Sequence, residues 1–139
     1  MKIVLDTNIL LTSLKKTAKN RPIFDAIRSG VVSLVVTTDV LLEYLEIIGE
    51  RTTEKIGGNV TQLILALPDT MRITVKFRFQ LIKADADDNK FVDCAIAGNA
   101  EVIVTNDRHF KELEHIQFPK VTTMTSDEFL ELLRLMPGE

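Results

Sequence analysis

Short runs of β-type apolar residues alternate along this chain with longer stretches patterned for helix, and that alternation limits the available folds more than any other feature. Ile3-Val4-Leu5 is too short for a buried helix and reads as a buried parallel strand. Ser33 to Thr37 (SLVVT) reads as a second strand, Arg72 to Phe79 (RITVKFRF) as an alternating third, Glu101 to Thr105 (EVIVT) as a fourth and Lys120 to Met124 as a last. A helix is expected from near Pro22 to Gly30, with proline in its first turn and glycine at its end. Val40, Leu41, Tyr44, Leu45 and Ile48 recur at helical spacing between Asp39 and Glu50. Thr53 to Leu67 is a further helix closed by Pro68, although Gly57-Gly58 works against it. Asp88 to Asn99 and the short Arg108 to Leu113 follow, and Thr125-Ser126-Asp127-Glu128 is a capping box opening a helix from Asp127 to Leu135. Strands separated by helices build an open, mostly parallel α/β sheet, which carries its sites beyond the carboxyl ends of its strands.

The 139 residues suit one domain spanning 1–139 and leave no room for two independent cores. No stretch approaches the roughly 18 apolar residues of a membrane span. Lys2 is followed by only three apolar residues before Asp6, which is not a signal-peptide pattern. The lone Cys94 excludes an internal disulfide, fits a reducing cytoplasm and is expected as a small buried residue on a helix. A net charge of −3 argues against a nucleic-acid partner only superficially. Setting aside the four carboxylates assigned below turns it into +1, and bound cations would reverse the sign of the pocket locally.

Asp6 ends the first apolar run in Val4-Leu5-Asp6-Thr7-Asn8, and Asp107 lies just beyond another in Ile103-Val104-Thr105-Asn106-Asp107. Two strands delivering an acid to one sheet edge suit a hard divalent cation, which takes oxygen ligands. The ordinary alternative is that each Asp caps the helix after its strand. Asp85-Ala86-Asp87-Asp88 puts three acids directly before a helix, more than one cap requires, and a cation would relieve their repulsion. The triplet alone does not say which Asp points inward. Glu43 shares its helix face with Glu46 and Glu50, so spacing does not separate a site acid from a solvated acidic stripe.

At these residues the sequence resembles the PIN-domain nuclease family, particularly its bacterial and archaeal toxin-component (VapC-like) branch. Val4-Leu5-Asp6-Thr7-Asn8 is similar to the first motif, and Asp39-Val40-Leu41-Leu42-Glu43-Tyr44 to the second. Asp88-Asn89-Lys90-Phe91-Val92-Asp93-Cys94-Ala95 resembles the third, and Val104-Thr105-Asn106-Asp107, followed by Arg108-His109-Phe110, the fourth. The resemblance selects Asp88 from the triplet and Glu43 over Glu46. It implies a three-layer α/β/α fold and a catalytic, metal-holding set of Asp6, Glu43, Asp88 and Asp107. Thr7, Asn8, Thr105 and Asn106 become candidates to orient carboxylates or waters. It also implies an RNA substrate, Mg²⁺ or Mn²⁺ as cofactor and a small antitoxin protein as partner.

Such an enzyme is expected to hold two divalent ions about 4 Å apart, which would activate a water and stabilise the departing oxygen of a phosphodiester. Lys15, Lys16, Lys19 and Arg21 follow the first motif closely enough to contact substrate at the rim, with Arg72, Lys76, Arg78 and Lys83 as a second basic group. Both histidines, His109 and His115, lie in one late segment, so no Ser-His-Asp triad is suggested and His109 is expected to pack or face solvent. Ile47-Ile48 and Leu63 to Leu67 are the stretches available to a homodimer face. A phosphoacceptor receiver domain would want adjacent acids after the first strand, where this chain has Asp6-Thr7. A catalytically silent binding module on the same fold is the other alternative, which a nuclease assay with and without metal separates.

Overall fold

The computed structural model describes residues 1–83 and 85–137. Five parallel strands form the sheet: β1 (Lys2–Leu5), β2 (Ser33–Val36), β3 (Met71–Arg72), β4 (Val102–Val104) and β5 (Thr123–Met124). Their spatial order is β3-β2-β1-β4-β5. The chain therefore winds outward from β1 to β3, then returns to the other side of β1 for β4 and β5. Connections diverge between β1 and β4, and a crevice opens beyond their carboxyl ends. The helices are α1 (Thr7–Thr12), α2 (Arg21–Ser29), α3 (Thr38–Arg51), α4 (Glu54–Ala66), α5 (Asn89–Ala97) and α6 (Ser126–Leu135), completing an α/β/α arrangement.

Where both faces of a strand are covered, apolar residues run without alternation. Ile3, Val4, Leu5, Val102, Ile103 and Val104 are all buried, as are Leu34, Val35 and Val36. Around them α5 lies against β1, β2 and β4, α3 packs on α5, and α2 pairs with α6. Fully buried Tyr44, Phe91, Phe110 and Phe129 supply the bulk, each worth about 1.5–3 kcal/mol of apolar burial. Caps follow the expected chemistry: Thr37 and Thr53 open α3 and α4, and Thr125 with Glu128 closes a reciprocal box on α6. Cys94 is buried with its thiol toward the Val35 carbonyl, and burial pushes it up to about 12, with Asp93 adding to the rise. Among the described residues no helix is long and apolar enough to cross a membrane.

Several expectations change. The strand expected over Arg72 to Phe79 stops at Arg72, because its neighbour β2 ends at Val36 where the chain turns into α3; the last rung is the Ile73 amide on the Val36 carbonyl. Residues 74–83 run on without a ladder, and Phe77 is exposed where alternation would cover it. Side chains of α5 fasten them instead: Asp93 accepts from the Phe79 amide, and Asn89 both accepts from the Ile82 amide and donates to its carbonyl. The last strand shrinks to Thr123–Met124, and the short helix after Asp107 is a 3₁₀ turn over Arg108–His115. Helix α1 was not expected. Of the candidate dimer stretches, Ile48 and Ile64 lie in the core, whereas Leu63 and Leu65 are exposed.

The glycine pair in α4 has two separate meanings. A Cβ on Gly57 would lie 2.9 Å from the Leu45 carbonyl oxygen and 3.0 Å from the Gly49 amide, so this glycine lets α4 touch the α3 backbone. A Cβ on Gly58 meets nothing within 4 Å. Gly57→Ala should therefore destabilise by about 1–3 kcal/mol through overpacking. Gly58→Ala should stabilise by up to about 1 kcal/mol through helix propensity. Thermal melts of both variants check this, and equal shifts of one sign would contradict the close approach.

Candidate active site

The β1–β4 pairing sets the site. Leu5 lies opposite Val104, and the Asp6 amide donates to the Val104 carbonyl at 3.0 Å, so Asp6 and Thr105 leave the sheet side by side. Asp6 stands at the N-terminus of α1, yet its side chain makes no capping bond. The buried carboxylate accepts instead from the Thr105 hydroxyl at 2.7 Å. That same hydroxyl oxygen accepts from the Asp107 amide at 3.0 Å, so one threonine ties the two acids together. Burial raises the Asp6 carboxyl above its ordinary range; the Thr105 bond offsets part of this, and Asp107 and Glu43 add repulsion.

The acidic triplet divides its tasks. Asp85 caps the 3₁₀ turn over Ala86–Asp88 by accepting from the Asp87 amide, and Asp87 is exposed. Asp88 opens α5 without a side-chain cap and turns toward Asp107 and His109. Desolvation lifts its carboxyl to about 7, helped by Asp107, Asp85 and Asp6 and opposed by His109. Asp107 does act as a cap, one oxygen accepting from the His109 amide at 2.8 Å.

Glu43 reaches the pocket from α3, whereas Glu46 is exposed. One Glu43 oxygen accepts from the Thr7 hydroxyl, and the other lies 2.9 Å from the Lys90 ammonium. Burial by itself lowers Lys90; contact with Glu43 overrides it and raises the group. Tyr44, beside Glu43, is fully buried and donates to the Leu5 carbonyl at 2.7 Å, fixing α3 against the end of β1. Beyond Glu43 opens a cleft of about 790 Å³, whose lining includes Asp39, Arg78, Lys83, Lys90 and Asp93.

Of the candidate orienting residues, Thr7 and Thr105 touch acids. Asn8 is exposed on α1, and Asn106 pairs with Ser126 at the start of α6, accepting from its amide and donating to its hydroxyl. Among the basic candidates, Lys15 and Lys16 are exposed between α1 and α2, and Lys19 pairs with Asp127 at 2.8 Å. Arg21 is taken up within α2 by Asp25 and the Phe24 ring.

His109 is half-exposed, as a surface residue would be, and it also lies beside two of the acids. Its Nδ1 lies 3.4 Å from Asp107 and 3.6 Å from Asp88, beyond good hydrogen-bond geometry. Both Nδ1 and Asp88 Oδ2 are buried without a hydrogen-bond partner among the described residues. Asp85, Asp88 and His109 can each aim one ligand atom within 4.8 Å of the others. Orphaned buried acceptors among repelling carboxylates fit a divalent cation. The signal in the sequence was His109 falling two residues after a site acid on a turn.

A parallel α/β sheet with carboxylates gathered at its switch point is the class that these features define. The model of the PIN domain matches residues 2–109, and the chain belongs to the PIN-domain family. No curated protein matches the sequence. Solved structures share the fold. A chain of VapBC2 from Rickettsia felis, bound to a DNA fragment from its promoter, is 18% identical with a TM-score of 0.61, covering 90% of this chain and 98% of that one. DNA-bound VapBC from Salmonella typhimurium gives 17% and 0.59, over 91% and 98% of the two chains. FitAB bound to an IR36 DNA fragment gives 14% and 0.58, over 89% and 94%.

The raised Asp88 carboxyl carries a sign for stability. Between 3.8 and about 7 it holds its proton in the folded chain and releases it on unfolding, so metal-free stability falls as pH rises through that window. Melts in chelator at about pH 4.5 and about pH 7.5 should show a gap in Tm that narrows in Asp88→Asn. Equal gaps in both proteins would mean that Asp88 titrates as an ordinary carboxyl.

Proposed function

We propose that this chain is a Mg²⁺- or Mn²⁺-dependent endoribonuclease, the toxin component of a toxin–antitoxin pair, acting in the cytoplasm. The observation that carries the reading is that Asp6, Asp88 and Asp107 repel one another beyond β1 and β4, while ligand atoms of Asp85, Asp88 and His109 lie within 4.8 Å of one another with two buried polar atoms unpartnered. In this reading Asp6, Asp88 and Asp107 hold the metal, with Glu43 completing the catalytic set and Asp85 or His109 within reach. A divalent ion there supplies an acidified water and positive charge for phosphodiester hydrolysis.

The chain's own groups do the positioning. Thr105 orients Asp6 through its hydroxyl, and Thr7 does the same for Glu43. Lys15, Lys16 and Lys19 offer phosphate contacts from the loop that follows α1. The VapBC and FitAB names of the similar structures support a small antitoxin as partner, and exposed Leu42 and Leu45, one turn apart on α3, offer it an apolar surface. A homodimer through the exposed Leu63 and Leu65 of α4 is the remaining part of the proposal.

Cleavage of a labelled RNA should require Mg²⁺ or Mn²⁺ and stop in chelator. Asp88→Asn should lower the rate by more than the roughly 10- to 100-fold typical of residues behind a metal ligand, and Glu43→Gln by on the order of a hundredfold. Glu46→Gln should change it little. Undiminished cleavage by metal-stripped protein would overturn the mechanism; metal binding without cleavage of any RNA would make the chain a silent binding module.

A further inference from the structure

Among the described residues, Glu43 is the acid of the four that faces an ammonium. Lys90 Nζ sits 2.9 Å from Glu43 Oε1 and 3.5 Å from Asp87, with the Lys90 and Glu43 side chains only 21% and 18% exposed. The second Glu43 oxygen is taken by the Thr7 hydroxyl. Both oxygens are thus engaged by donors, whereas Asp88 keeps a buried oxygen without a partner. The pocket divides accordingly. On one side Asp6, Asp88 and Asp107 repel one another, with His109 between the last two; on the other a fixed positive charge already stands against the carboxylate.

Lys90 is well placed for more than an ion pair. It rises from the first turn of α5, two residues after Asp88, so one helix start delivers an acid to one half of the pocket and an ammonium to the other. It also lines the cleft that opens beyond Glu43. An ammonium is a compact point charge suited to a phosphate oxygen. A second divalent ion at Glu43 would have to displace it and then lie beside it, positive against positive.

We propose that Lys90 takes the place of a second metal ion: the pocket binds one divalent cation at Asp6, Asp88 and Asp107, and the Lys90 ammonium, held by Glu43, meets the phosphate charge from the cleft side. This rests on the metal-dependent nuclease reading above. It makes Glu43 a positioning residue for Lys90 rather than a metal ligand. A purely structural bridge between α3 and α5 would instead alter melting and leave ion count and rate alone.

The test is a Mn²⁺ titration of the full chain, counting bound ions from the loss of the free Mn²⁺ paramagnetic resonance signal, alongside RNA cleavage at saturating Mn²⁺. Wild type should bind one ion. Lys90→Met frees Glu43 and should bind a second, weaker ion while losing on the order of a hundredfold in rate. Lys90→Arg should bind one ion and recover much of the rate, which also shows that position 90 tolerates change without loss of the fold. Two ions in wild type, one ion in Lys90→Met, or wild-type cleavage by Lys90→Met would each overturn the assignment. No ion bound by wild type would defeat the metal-dependent reading itself, a result distinct from the other three.

Discussion

The pairing of β1 with β4 is the contact on which the rest of the pocket depends. One ladder step, Leu5 opposite Val104, sets Asp6 beside Thr105 and fixes both at the point where the connections diverge. A slip of one residue would turn Asp6 to the opposite face and separate it from the hydroxyl that holds it. From that step the remaining acids are placed in turn: Asp107 through its amide on Thr105, and Glu43 through Tyr44 on the Leu5 carbonyl. Asp88 comes from α5, which lies across the same strands. The site is therefore an outcome of sheet register more than of any single motif.

Electrostatics in this pocket is left unbalanced on one side. Carboxylates drawn together from four elements repel one another, and burial adds a desolvation cost that raises Asp6 and Asp88. Neutral donors offset only part of it: Thr105 for Asp6, the His109 amide for Asp107. Carboxyls shifted by burial and by one another in a crevice make a candidate functional site with a stated physical rationale. Here the shift has named causes, and the same residues leave buried acceptors unmet.

Much of this was legible in the sequence, for physical reasons that differ by element. Strands buried on both faces must be continuously apolar, so Ile3 to Leu5 and Val102 to Val104 stood out, and with them the acids that follow. The Thr125–Glu128 box announced α6 because capping is a local interaction. Alternation misled at Arg72 to Phe79, since the residue types alternate there but a strand also needs a neighbour, and β2 has ended. Spacing could not tell Asp88 from Asp85 and Asp87, because all three precede one helix and only backbone geometry decides which becomes the cap. His109 was read as a packing or surface residue, and Lys90 was given no role of its own, for a related reason. Their meaning lies in partners delivered by other elements, Asp88 for the one and Glu43 for the other, and periodicity carries no such information.

The segment over residues 74–83 has a consequence for how such a protein can vary. It forms part of the cleft wall, through Arg78, Gln80, Ile82 and Lys83, yet no ladder binds it to the sheet. Its backbone is fastened by Asn89 and Asp93 on α5 and by Glu112 at the Lys83 amide, while Thr74, Lys76, Phe77, Arg78, Gln80 and Lys83 are exposed. Substitutions at Arg78, Gln80 or Lys83 can therefore reshape the wall while Asp6 and Asp107 stay anchored to β1 and β4. Surfaces fastened at a few backbone points are where a lineage can exchange one target for another without rebuilding its chemistry.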